Sequence, residues 1–331
     1  MSRFACWLFA VAACGSSSSP PSSRSSSPPP APSSSAPSST PIDLGDDRPD
    51  LPAVTLYGGG STAVAQWGTE QECHLGILSA ATPVAAVTYK PAEMHLHTAT
   101  PCGPVAVFDG AVYFVEQGRV ARWADGATTT VMKTASRVWD IELVAVNKSL
   151  VYIFVRDVLG VAVSRFDGTT LQQVTKDLPG GVYSTVVVGD RVVVASSALI
   201  SIHEAKVTSL REFKTGEELP RVVGATATEV ALCERGVLHF MSLTQGASRA
   251  TTRSCGTTDL VVADFLFTST FPPPATLVQT TLASGEQRVL ATSKREISNV
   301  VVTTDWIYFV ESAGFGADVH TAGRIAWVAR R

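Results

Sequence analysis

From Leu51 to the C-terminus the chain alternates short apolar runs with polar breaks. The clearest case is Asp109 to Gly126, "DGAVYFVEQGRVARWADG", where VYFV and RVARW are fenced by DG, QG and DG. This spacing predicts a β-hairpin. Two strands cannot bury a face by themselves, so other strands must cover them. Comparable runs recur along the chain, separated by Gly, Asp, Asn, Pro or Ser, which predicts an all-β sandwich, barrel or propeller.

A repeat test separates these architectures. The valine-rich run before each hairpin is "TAVAQW" at Thr62, "PVAVF" at Pro104, "IELVAV" at Ile141, "STVVV" at Ser184, "VVGAT" at Val222, "DLVVA" at Asp259 and "VVVTT" at Val300. Successive starts differ by 42, 37, 43, 38, 37 and 41 residues. Each start is followed by a turn and a second strand, as in "AVYFVEQ", "SLVYIFVRD", "RVVVASS", "FLFTST" and "WIYFVES". Third strands read as "GRVARWADG", "GVAVSRFDG" and "GRIAWVARR", and fourth strands as "TTTVMK", "TLQQVTK" and "QRVLATS". Four strands in roughly forty residues match one blade of a β-propeller. The prediction is therefore an all-β propeller over residues 51–331. Seven four-stranded blades are preferred, and six or eight remain compatible. The seventh unit lacks a fourth strand, and "AVTLYG" at Ala53 to Gly58 is spare. Pairing that strand with the last unit would close the ring and remove open edges. The stretch Ala198 to Leu219 fits an amphipathic helix bearing Ile202, Ala205 and Leu210. Its phase instead favours a hairpin turning at Glu204 to Lys206.

"DGAVYFVEQGRVARWADG" and "TDWIYFVESAGFG…GRIAWVAR" resemble degenerate bacterial propeller repeats of the YWTD/NHL/TolB-like kind. The resemblance is strong in units two, three and seven; units one, four and five depart from it. It implies a propeller that binds over its central channel, on loops that follow strands.

The N-terminus has a different texture. Arg3 and the apolar stretch Phe4 to Ala13 read as an export signal over residues 1–13. Val11-Ala12-Ala13-Cys14 resembles the lipobox of bacterial lipoproteins. That resemblance implies cleavage before Cys14 and acylation (palmitate among the chains) of that residue, which would anchor the protein by its N-terminal lipid alone. The rival reading is an ordinary cleaved signal. Residues 15–41 are almost wholly Ser, Pro and Ala, a composition that cannot bury a core. Residues 14–50 are thus expected to be a lipid anchor and disordered tether, of which the 27 residues 15–41 reach at most on the order of 80 Å. Ser16 after the cysteine favours the outer membrane under the enterobacterial sorting rule, with the periplasmic or surface leaflet open.

Charge narrows the partners. The 331 residues carry a formal net charge of −3 and no long basic run, which argues against nucleic acid. No run of about 18 uninterrupted apolar residues exists, so no transmembrane helix is expected. Of six cysteines, Cys6 falls in the signal and Cys14 in the lipobox. Cys73, Cys102, Cys233 and Cys255 remain, and four cysteines allow three pairings. Their spacing favours local disulfides within units one and five, consistent with export. Metal ligation and free thiols are the rivals, and without a CxxC spacing zinc is not expected.

Compact catalytic motifs are not found. There is no GxSxG elbow, no HExxH and no EF-hand loop. "GGGST" at Gly58 lacks a phosphate-loop lysine and reads as a turn. His95 and His97 alternate on one strand face without a third ligand, so no metal and no cofactor are expected. Asn147-Lys148-Ser149 matches a glycosylation sequon, which the bacterial export signal makes moot. Loops after the second strands carry Glu116, Arg156, Asp157, Glu234, Arg235, Glu311, Phe315, Asp318 and His320; loops between units carry Trp139 and Asp140. Together they form the candidate binding face; the competing reading is that loops are charged because they are solvated. The expectation is a membrane-tethered, monomeric, non-catalytic binding or scaffold module of the bacterial cell envelope, serving an envelope protein or an extracellular ligand. A propeller enzyme of lyase or hydrolase type, with a site dispersed over several blades, is the alternative.

Overall fold

The computed structural model describes residues 42–43, 49–78, 85–91, 102–133, 140–156, 160–178, 182, 184–214, 218–244, 246–256, 258–312 and 322–330. Its strands belong to one compact unit, Ser39–Arg331, and no helix occurs among the described residues.

The strands fall into successive antiparallel units. Unit one contains Thr55–Gly59, Thr62–Gly68, Cys73–Leu78 and Val87–Tyr89. Unit two contains Val105–Phe108, Ala111–Glu116, Arg119–Ala124 and Ala127–Lys133. Unit three contains Asp140–Ala145, Val151–Arg156, Val161–Phe166 and Leu171–Leu178; unit four contains Ser184–Val188, Arg191–Ala195, Ala198–His203 and Lys206–Glu212. Unit five contains Arg221–Ala225, Glu229–Glu234, Val237–Ser242 and Ser248–Ser254; unit six contains Leu260–Val262, Phe265–Ser269, Ala275–Thr281 and Gln287–Ser293, and their inner strands pair in parallel at Gly224–Val261 and Ala225–Val262, which joins the two units into one sheet. Unit seven contains Glu296–Val302, Trp306–Ser312 and Gly323–Ala329. The stretch after Ala198 is a hairpin, with Glu204 at the turn in a left-handed conformation (φ 52°).

Side chains of a strand alternate between its two faces. Val112 and Phe114 pack with Val64 and Leu75 of unit one, while Tyr113 and Val115 pack with Leu143 and Ile153 of unit three. Both faces are therefore buried, which is why the central strands read as unbroken apolar runs. The same arrangement continues around the molecule. In unit three, Tyr152 and Phe154 meet Val192 and Ile200 of unit four; Leu199 meets Leu232 of unit five, and Phe240 meets Leu266 of unit six. Phe267 meets Phe309 of unit seven, and Tyr308 meets Leu56 of unit one. A core cluster thus sits between every pair of neighbours, and the last closes onto the first. The chain is a β-propeller.

Three tyrosines at the same strand position reinforce these seams. The hydroxyls of Tyr113, Tyr152 and Tyr308 donate to the carbonyls of Lys148, Glu204 and Leu78 in the next unit, at 3.3, 2.9 and 3.4 Å.

Ring closure differs from the expectation. Thr55–Gly59 does not complete unit seven; it is the inner strand of unit one and pairs antiparallel with Thr62–Gly68. "TAVAQW" is accordingly a second strand, not a first. The spare strand is thus an inner strand whose phase is hidden, because it is glycine-rich where the others are valine-rich. A Cβ on Gly59 would stand 2.0 Å from the Val107 carbonyl oxygen, so the close approach of units one and two requires glycine there. The head of the chain still stitches the last unit, through Leu51, which forms an antiparallel bridge with Gly323.

Candidate functional site

Every inner strand begins, and every second strand ends, at the same rim, because each pair is antiparallel: Asp140 faces Arg156, Arg221 faces Cys233, Glu296 faces Ser312. Both disulfides lie here. Cys73–Cys102 and Cys233–Cys255 have Cα separations of 5.6 and 5.8 Å. Each ties the end of the hairpin between second and third strands to the segment that crosses to the next unit. Unit three achieves the same tie without cysteine, Arg156 Nη2 donating to the Val182 carbonyl at 3.0 Å.

The rim opens into a groove of about 510 Å³ between units one and two, lined by Gln71, Glu72, Thr88, Tyr89, Lys90, Glu116, Gln117 and Arg119. Its floor is fixed. The Tyr89 hydroxyl donates to the Cys102 carbonyl at 3.0 Å and accepts from Gln66 Nε2 at 2.6 Å. Gln66 Nε2 also donates to the Gly103 carbonyl at 3.1 Å, and its Oε1 accepts from the Tyr57 hydroxyl at 3.1 Å. Burial holds the Tyr89 phenol well above its ordinary pKa, so it remains a neutral donor. Cys73 of the Cys73–Cys102 bridge is the strand partner of Tyr89, and both cysteines are buried in the same core cluster. Across the groove, the Gln117 amide donates to the Lys90 carbonyl at 3.2 Å and Pro91 bridges Glu116, which fastens unit one to unit two.

The groove's walls carry both signs of charge. Glu116 accepts a hydrogen bond from Arg119 Nε, and Arg119 Nη1 donates to Thr130 Oγ1 at 2.8 Å. Glu72 lies 3.3 Å from His74 Nε2. Lys90, Gln71 and Gln117 stand exposed. Such a set presents ammonium, guanidinium, carboxylate and amide groups, all able to form polar contacts, on a rigid base. Among the described residues, no three His, Cys, Asp or Glu side chains gather so as to hold a metal ion.

The structure distributes the sequence-predicted residues unevenly. Glu116 lines the groove, and Arg156 stands on the same rim in unit three. Glu234 is on the rim of unit five, gripped by Arg211, with Arg235 exposed in the turn beyond it (φ 51°). Glu311 departs from the expectation: it is buried rather than presented on a loop. Arg324 Nε donates to its Oε2 at 2.9 Å and Ser293 donates to its Oε1, so its charge is neutralised inside unit seven. Asp140 begins the inner strand of unit three, and its side chain lies outside the description. Cys14, His95, His97, Trp139, Asp157, Phe315, Asp318 and His320 lie outside the described residues. Sequence reasoning missed Lys90, Gln117 and Arg119 as site residues; the one signal was the QG break, which reads only as a turn before the strand that Arg119 opens.

No family model matches the sequence, and no curated protein is similar enough in sequence to match it. Solved structures do match in fold. A catalytically inactive virginiamycin B lyase from Staphylococcus aureus with quinupristin superposes at a TM-score of 0.56 and 9% identity, covering 87% of this chain and 98% of that one. Prolyl endopeptidase superposes at 0.54 and 8% identity, over 78% of this chain and 46% of that one. Apo AztD from Citrobacter koseri superposes at 0.50 and 12% identity, over 83% and 88%. These likenesses show the shared propeller fold.

Proposed function

We propose that the chain is a lipid-anchored envelope propeller that binds an envelope protein or extracellular ligand at the rim carrying both disulfides, without catalysing a reaction. The observation that carries this reading is the groove between units one and two, whose floor is braced by Gln66, Tyr89 and the Cys73–Cys102 bridge. Preorganised polar walls lower the ordering cost of binding. At Glu234 the bidentate Arg211 favours recognition over the acid–base alternative, because hydrogen bonds from the guanidinium hold that carboxyl below its ordinary value and so keep it charged. The fold does not choose between a binder and an enzyme, since propellers host both. The disulfides suit an oxidising compartment, and the lipobox-like sequence with its Ser/Pro-rich tether suits a monomeric head held at the bacterial outer membrane.

Two measurements test the two halves. Radiolabelled palmitate should enter the full chain and fail to enter Cys14→Ala; equal labelling removes the anchor. A photo-crosslinking residue placed at Gln117 in the full chain, irradiated in whole cells, should give a discrete adduct, whereas one at the exposed Lys148 on the opposite rim should not. Equal adducts at both, or none at Gln117, rule out binding at this groove.

A further inference from the structure

We infer that the groove between units one and two selects an acidic polypeptide segment, one of whose carboxylates pairs with the Lys90 ammonium. The inference rests on the binding reading above and names what that site selects. Which groove atoms are already engaged decides the chemistry. The floor is saturated internally: Tyr57, Gln66 and Tyr89 bond to one another and to the carbonyls of Cys102 and Gly103. Both wall carboxylates have partners as well. Glu116, 17% exposed, accepts from Arg119 Nε, and Glu72 lies 3.3 Å from His74 Nε2. His74 is in turn oriented by Thr88 Oγ1, 3.1 Å from its Nδ1.

The groups left open are of one kind. Among the described residues Lys90 Nζ makes no hydrogen bond or ion pair, and the side-chain amides of Gln71 and Gln117 make no hydrogen bond. The Lys90 backbone is nevertheless fixed, because its carbonyl accepts from the Gln117 amide at 3.2 Å and its neighbour Tyr89 belongs to the floor. The exposed ammonium therefore stands at the junction of the two walls, on a four-carbon stem. Arg119 adds the same sign. Its Nε serves Glu116 and its Nη1 serves Thr130, which leaves Nη2 without a hydrogen bond among the described residues.

An entering anion meets Lys90 unopposed, since Arg119 already balances Glu116. An entering cation finds only Glu72, which is 60% exposed, well solvated and shared with His74. A phosphate dianion is disfavoured, because Glu72 and Glu116 stand on the same walls and like charges repel. A singly charged carboxylate suits a compact ammonium, which needs no forked geometry to pair with it. Gln71 and Gln117 can each donate and accept, as the peptide groups on either side of an acidic side chain require. That combination fits a polypeptide better than a small anion or a lipid head group.

Carbodiimide coupling of the full chain in whole cells tests this, because it joins an amine only to a carboxylate in contact with it. Lys90 should form an amide bond to an aspartate, a glutamate or a C-terminus of another protein, located by peptide mass spectrometry, and the exposed Lys148 on the opposite rim should not. Lys90→Arg should abolish that link and keep the photo-adduct at Gln117, since the charge remains. Lys90→Glu should cut the photo-adduct at least about tenfold with the melting temperature unchanged. A photo-adduct that persists in Lys90→Glu overturns the inference and leaves the binding reading standing, whereas its absence from the wild type removes both. Coupling of Glu72 or Glu116 to a partner's lysine would mean a basic segment instead, and a photo-adduct to lipid or glycan would mean a partner other than a polypeptide; either overturns the inference.

Discussion

Arg211, on the outer strand of unit four, grips both carboxylate oxygens of Glu234 on the second strand of unit five, Nη1 to Oε2 at 2.9 Å and Nη2 to Oε1 at 2.8 Å. The guanidinium also covers the ring of Phe213, 5.1 Å from its centroid. A bidentate pair in a half-buried seam outperforms an ordinary surface ion pair, yet solvent screening limits it to about 1 kcal/mol. Arg211→Ala should lower the melting temperature by about 2–4 °C. The pH dependence has a definite sign. The Arg211 hydrogen bonds hold the Glu234 carboxyl below its ordinary value. Its contribution is therefore complete above the ordinary glutamate value of about 4.3 and is lost as pH falls through the lowered one. Thermal melts of wild type and Arg211→Ala should differ at pH 7 and converge in acid. A gap that persists unchanged at pH 2 would disprove the assignment.

Glu311 and Arg324 form the buried counterpart, with exposures of 0% and 1%. Desolvating two charges is costly, and the pair is tolerable only because each satisfies the other. Glu311→Ala should cost about 3–5 kcal/mol by leaving the Arg324 charge uncompensated. The double variant Glu311→Leu/Arg324→Met should recover part of that loss. Denaturant unfolding of the three proteins is the measurement; a double variant no more stable than Glu311→Ala would show that the loss came from shape rather than charge.

The disulfides offer a third test. They span 29 and 22 residues, and the chain-entropy model assigns each about 3–4 kcal/mol. Cys73→Ser/Cys102→Ser should lower stability and also loosen the groove floor, because the Cys102 carbonyl is the acceptor for Tyr89. Cys233→Ser/Cys255→Ser should cost similar stability and leave the groove intact. Amide exchange at Val87–Tyr89 separates the two: faster in the first variant, unchanged in the second. Mass spectrometry after alkylation without reductant should find none of these four cysteines modified.

How much of this was readable beforehand follows from burial. VYFV at Val112 to Val115 signals a strand with both faces covered, and the recurrence of such runs signals a ring. Phase was lost only in unit one, where "TLYGG" carries glycines because its backbone lies against Val107. Sequence spacing also places Glu116, Arg156 and Glu234 on one rim, since strand ends follow from the turns. It does not distinguish a presented carboxylate from a buried one. Glu311 looks like its counterparts along the chain, and only the arrival of Arg324 from the neighbouring strand turns it inward. Lys90 and Gln117 were invisible for a similar reason: their proximity depends on how one unit docks on the next.

Glu296 supplies the opposite sign of pH dependence. It opens the inner strand of unit seven, opposite Ser312, where burial raises its carboxyl above the ordinary value. A raised carboxyl favours the protonated form in the folded state. Its contribution is full below the ordinary value of about 4.3 and is lost as pH rises through the elevated one. Glu296→Gln removes the charge while keeping the shape. The variant should melt higher than wild type at pH 7, and the advantage should vanish below about pH 4, where both side chains are neutral. Melting curves across pH 3–8 measure this. A variant less stable at neutral pH would mean that the carboxylate makes a favourable contact that outweighs its desolvation.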